Sequence, residues 1–156
     1  MSEATRRVQR RAVAAADDSS GRPADFVCAS EIEIAPGDER ASEQWAREAW
    51  EGAPAPLRWL MIVGWRFGLG LRLGPRRSPD HILGWRITER RRDETVCQLE
   101  SAFLHATNSF RRADGRLVWT TVVAYDRPIA RLIWPPVSLL HRPLVRISLQ
   151  RAARHA

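Results

Sequence analysis

Apolar and polar residues alternate over Asp25–Ala35, with Phe26, Cys28, Ser30, Ile32 and Ile34 on one side and Val27, Ala29, Glu31 and Glu33 on the other. Alternation with period two marks a half-buried strand, and the glutamates mark the second side as the wet one. The period then lengthens. Ser42 stands as a helix N-cap before a run in which Trp45 and Ala49 recur at helical spacing, until Gly52 and Pro54 end it. Leu57, Leu60, Met61, Gly64 and Trp65 repeat at three- and four-residue steps and predict a short amphipathic helix over 57–67. The glycine-rich stretch after it predicts a flexible loop at the mouth of the fold.

From Ile82 the period returns to two. Leu83, Trp85 and Ile87 share a face, and so, after a turn at Arg91–Asp93, do Thr95, Cys97, Leu99, Ser101 and Phe103. A tight turn near His105 leads to a strand carrying Ala106, Asn108 and Phe110. Asp114–Gly115 predicts a type I′ hairpin, because that turn needs positive φ at both central positions. The next strand sets Leu117, Trp119, Thr121, Val123 and Tyr125 against Val118, Thr120, Val122 and Ala124. Pro128 then suits the first turn of a helix. Ile129, Ile133, Val137, Leu140, Leu144 and Ile147 form its apolar stripe, while Pro135, Pro136 and Pro143 predict a kink near Trp134–Pro136 or a break into two helices. The order of elements is α+β: a curved antiparallel sheet wrapped around a long C-terminal helix, with two short helices after the first strand. The space between sheet and helix is a natural apolar cavity.

A length of 156 residues fits one domain, assigned to residues 23–156, while the Ala-, Arg- and Ser-rich residues 1–22 read as a disordered basic tail. No apolar run approaches the roughly 20 residues that cross a bilayer. The first residues hold arginines but no uninterrupted apolar stretch, so a signal peptide is not expected and a cytoplasmic location is. Cys28 and Cys97, far apart and outside any CxxC, are expected as reduced thiols there.

Charge changes the picture more than composition does. All 25 basic residues are arginine and the formal net charge is +7, so neither a Schiff-base lysine nor a P-loop lysine is available. Residues 25–51 hold eight acids against Arg40 and Arg47, whereas residues 127–156 hold six arginines and no acid. Such a dipolar chain either pairs its acidic segment with its basic helix or offers the arginines to an anionic partner. No recognised nucleic-acid module accompanies the charge, so nucleic acid is not the expected partner, while peripheral membrane contact is compatible with it.

No catalytic constellation stands out. The four histidines lack the spacing of a helical zinc pair, no GxSxG elbow occurs, and no cofactor or metal is expected. A shaped apolar pocket with a few polar groups needs no motif, and strand parity with helix position nominates Trp85, Ser101, Phe103, Asn108, Phe110, Trp119, Thr121, Tyr125, Leu140 and His141 to line one. His141, inside the apolar helix, would act as an acid or base if it faced the cavity.

The succession HILGWRI, LESAFL, RLVWTTVVAYDRPIARLIW and LLHRPLV resembles a small bacterial family of unknown function related to the START-like, or SRPBCC, superfamily. The resemblance covers about residues 25–153 and implies the helix-grip fold. It also implies binding of a small hydrophobic or amphipathic ligand, such as a lipid, quinone or polyketide, between sheet and helix. A cyclase or dehydratase acting on such a ligand is one alternative, and a regulatory or interaction protein using its arginine-rich surface on an anionic partner is the other. The oligomeric state is left open.

Overall fold

The computed structural model describes residues 7–11 and 23–155. A short strand, β1 (Gln9–Arg11), and β2 (Phe26–Glu33) precede two short helices, α1 (Ser42–Trp50) and α2 (Ala55–Val63), the second running on into a π-helical turn at Gly64–Gly68. Six strands follow: β3 (Arg77–Ser78), β4 (His81–Ile82), β5 (Trp85–Arg90), β6 (Glu94–Glu100), β7 (Leu104–Ala113) and β8 (Arg116–Tyr125). The chain closes with α3 (Ala130–Arg154). The strands form one curved antiparallel sheet in the order β1-β2-β8-β7-β6-β5-β4-β3. This is the α+β helix-grip architecture. β1 lies where a disordered tail was expected, and the rest of that tail, residues 1–6 and 12–22, falls outside the described residues.

Register decides which side chains meet. Cys28 lies opposite Thr121 and Ser30 opposite Trp119, while across β8 Asn108 pairs with Thr121 and Phe110 with Trp119. These residues share the face that receives α1 and α3. The opposite face is not wet throughout, because Ala29, Val118, Val122 and Ala124 are buried there. At the hairpin between β7 and β8, Asp114 and Gly115 both adopt positive φ, as the turn type demands.

Four local expectations are corrected. Ala41, not Ser42, is the N-cap of α1; Ser42 begins the helix, and its buried hydroxyl meets Arg91 O and Thr95 Oγ1, fastening α1 to β6. The glycine-rich stretch is pinned, with Leu69 and Leu71 buried and backbone bonds from Leu71 N to Trp65 O and from Arg72 N to Glu100 O. The run from Ile82 to Ile87 is no single strand: Leu83 and Gly84 turn the chain so that Ile82 pairs with Trp85. The turn placed near His105 comes earlier, at 101–103, and His105 lies in β7 opposite Glu100.

Leu83 holds φ at +48°, a region that disfavours a side chain, and its burial offsets the strain. Gly84 has φ at +91°, and a Cβ there would stand 3.1 Å from Leu73 and 3.2 Å from Gly74 O. Gly84→Ala is therefore expected to lower stability by about 1–3 kcal/mol. A urea titration checks it, as a lower midpoint at unchanged slope.

The largest departure concerns α3. It is one continuous helix despite its three internal prolines, and the stripe facing the sheet is the expected one only in part: Ile133 and Val137 pack half-buried against the core, while Ile129, Leu140 and Ile147 do not. Ala130, Trp134, Ser138, Val145, Ser148, Leu149, Ala152 and Ala153 are buried, whereas Ile129, Leu132, Leu139, Leu140 and Ile147 are exposed. The concave face is already filled by large rings, and α3 meets it with Trp134, Val145 and Leu149 set among small alanines and serines. The prolines sit on the outward side. The carbonyls they leave without a helical donor belong to Arg131, Leu132 and Leu139, all exposed to water.

Candidate functional site

Trp85, Phe110 and Trp119 rise from β5, β7 and β8 into one aromatic cluster. Trp50, at the end of α1, is its hub, with ring centroids 5.4 Å from Trp85, 5.3 Å from Phe110, 5.7 Å from Trp119 and 5.5 Å from Trp65. The interior expected to be a cavity is occupied here by aromatic rings.

Beside this cluster, under α3, the structure brings Asn108, Thr121 and His141 together in a chain of hydrogen bonds. Trp119 Nε1 donates to Asn108 Oδ1 at 2.8 Å, and Thr121 Oγ1 donates to the same oxygen at 2.7 Å. An indole nitrogen can only donate, so the Asn108 atom facing it is the oxygen; this commits the single hydroxyl hydrogen of Thr121 to that oxygen. Thr121 Oγ1 is then an acceptor for His141 Nε2–H, 3.2 Å away. The network thus assigns the histidine tautomer and leaves Nδ1 with its lone pair.

That lone pair has no partner. His141 Nδ1 is buried without a hydrogen bond, and so is Nε1 of Trp134, whose ring centroid lies 5.8 Å from that of His141. An unmet buried polar atom costs about 1–3 kcal/mol; Nε1 of Trp45, Trp50 and Trp85 is unmet as well, and Trp134 differs from these in having the unmet His141 acceptor on a neighbouring ring. Burial, with a smaller push from the Arg142 guanidinium, lowers the His141 pKa from 6.5 to about 4. The ring is therefore neutral near pH 7, a hydrogen-bond acceptor and a weak base. Trp119 and Trp134 flank the His141 ring, and Phe26 makes an edge contact with Trp134 at 5.1 Å. Cys28, opposite Thr121, has its thiol pKa raised mainly by burial, so it is a poor nucleophile.

The remaining candidates lie elsewhere. Ser101 and Phe103 belong to the β6–β7 turn, where Ser101 Oγ accepts from the backbone N–H groups of Phe103 and Leu104 and so shapes the turn. Tyr125 is half-buried at the end of β8, its backbone N–H held by Asp25. Leu140, expected inside, is 65% exposed, because α3 presents a different side to the sheet. Sequence reasoning missed Trp134, although its place two helical turns before His141 puts both on one side of a helix. It also missed Trp50 as the centre of the cluster.

Two open clefts lie on the outer surface, and neither is lined by any of the ten candidates. One, about 480 Å³, runs between Ile34–Asp38 and the β7–β8 hairpin; the other, about 750 Å³, has Arg47, Arg58, Arg76 and Arg77 on its walls. Arg47 is committed to Glu43, Glu51 and three backbone carbonyls, and Arg58 to two. The acidic segment pairs with only part of the basic helix. Arg151 binds Glu48 at 3.1 Å, and Arg40, stacked over Trp45 and paired with Asp38, reaches Ala152 O at 3.1 Å. Among the described residues no group of three or more His, Cys, Asp or Glu is placed to hold a metal ion, and no helix is long and apolar enough to cross a membrane. No protein-family model matches the chain, and no curated protein matches it significantly.

Proposed function

We propose that this protein binds a small amphipathic molecule at the niche between β8 and α3, holding it through a hydroxyl group. The observation that carries the reading is the buried pair of unmet groups, His141 Nδ1 and Trp134 Nε1. One hydroxyl both donates and accepts, so it matches an acceptor and a donor together. The apolar rings around the pair suit the hydrocarbon part of such a molecule. Because rings fill the adjoining interior, the ligand is small, or enters with only one end.

Binding is favoured over cyclase or dehydratase chemistry by the state of His141. A base with a pKa of about 4 draws protons weakly at neutral pH, and no second titratable side chain joins it in the relay. The START-like resemblance belongs to the same reading and is supported by the shared helix-grip architecture alone. A cytoplasmic setting fits the two free cysteines.

Decanol and decyl methyl ether form a discriminating pair of probes, since the ether accepts but cannot donate. Decanol is expected to raise the melting temperature of the wild type and to bind about tenfold or more tightly than the ether, the loss of one buried hydrogen bond. His141→Leu is expected to abolish that preference, and Thr121→Leu to weaken it by freeing the tautomer. Equal responses to alcohol and ether, or an unchanged preference in His141→Leu, would mean that no ligand hydroxyl sits there. Native mass spectrometry of the purified chain then looks for the natural ligand.

A further inference from the structure

The outward side of α3 carries side chains that a water-facing helix does not need. Leu132 is 78% exposed, Leu139 71%, Leu140 65% and Ile147 49%. At about 100° per residue, Leu132, Pro136, Leu139 and Pro143 fall along the middle of the outer face. Arg131, Arg142 and Arg146 line one flank and Leu140 and Ile147 the other. The strip from Leu132 to Ile147 is about 22 Å long. Arg131, Arg142 and Arg146 are exposed and make no ion pair among the described residues. The nearest acid in sequence, Asp126, precedes the helix. The π-helical turn adds Arg66 and the 77%-exposed Phe67 at the same end of the molecule. There Phe103 accepts from the backbone N–H groups of Asp126 and Arg127, and its ring lies within 3.5 Å of where a Gly70 Cβ would stand.

From this we infer that the outer face of α3 docks on an anionic lipid bilayer, the leucines entering the acyl boundary and the arginines meeting lipid phosphates. Charge selects this occupant. A second copy of the chain would set arginines against arginines, and a nucleic acid would leave the leucines uncovered. The inference stands apart from the hydroxyl niche, which lies on the opposite side of the same helix.

Flotation of the full chain with phosphatidylcholine vesicles, with and without about one-third phosphatidylglycerol, tests it. The wild type is expected to float with the anionic vesicles only and to be released by high salt. The double variant Arg142→Gln/Arg146→Gln is expected to lower partitioning about thirty-fold. Leu132→Ser/Leu139→Ser is expected to lower it at least about tenfold. All four positions are exposed, so melting temperatures stay at the wild-type value. Wild-type protein left behind by both vesicle types, equal flotation with neutral vesicles, or variants that float like the wild type would overturn the inference. So would a dimer on size-exclusion chromatography that the leucine variant splits, or salt-sensitive capture of duplex DNA in place of vesicles.

Discussion

Replacing Trp50 by alanine is expected to lower stability by about 3–5 kcal/mol, enough to leave a marginally stable domain partly unfolded at room temperature. Trp50 is 1% exposed and touches four other rings, two of them at the centre of the sheet. Its loss removes a large apolar surface and opens a hole that the stiff rings around it cannot close by small shifts. Trp50→Phe keeps a ring in contact and is expected to cost about 1–2 kcal/mol. Trp59, 67% exposed, serves as the comparison: Trp59→Ala is expected to stay within about 0.5 kcal/mol of the wild type. Chemical denaturation followed by far-ultraviolet circular dichroism avoids the lost fluorophore. A Trp50→Ala penalty no larger than that of Trp59→Ala would show that the cluster is loosely packed.

Mild acid is the second large perturbation. In the unfolded chain His141 takes a proton near its ordinary pKa of 6.5, whereas in the folded chain burial holds the value at about 4. Between these limits the unfolded state binds a proton that the folded state refuses, so stability falls as pH is lowered from 6.5 towards 4 and is fully present above 6.5. A gap of that width is worth about 3 kcal/mol. His141→Gln keeps a donor for Thr121 but cannot titrate, so it is expected to flatten this window. Asp38 acts in the same direction lower down. Its hydrogen bonds from Arg40 hold the carboxyl below the ordinary 3.8, so that contribution is lost only as pH falls below that value. Stability curves for wild type and His141→Gln that run parallel between pH 4 and 6.5 would contradict the assignment of a neutral, buried imidazole.

The sheet was legible because its signal is local. Period-two alternation from Thr95 to Tyr125 and the Asp114–Gly115 pair locate three strands and a hairpin, and parity alone places Asn108 and Thr121 side by side. Errors occurred where a local signal ran past its element. Alternation continues from Leu99 into Ser101 and Phe103, although the chain has already turned, and Leu83 conceals a turn because leucine seldom adopts positive φ. The orientation of α3 was beyond any local signal. Its leucines and isoleucines form a plausible buried stripe, yet the helix is rotated so that Trp134, Val145, Leu149 and a set of alanines and serines face rings distant in sequence, and of the expected stripe Ile133 and Val137 stay against the core. His141 was found because histidine is conspicuous among apolar residues; Trp134 was missed because one more tryptophan looks like ordinary packing.

The placing of β2 beside β8 bears on how the chain acquires its shape. Phe26 finds its neighbour Val123 only after every intervening helix and strand has been made, so an emerging chain carries β2 with a bare edge while β3 to β7 are synthesised. Pairing across so long a loop belongs to the slow end of folding rates and exposes the nascent protein to wrong partners in the interval. β8 and α3 act as a zipper and a clasp, and folding on the ribosome is expected to wait until both have emerged.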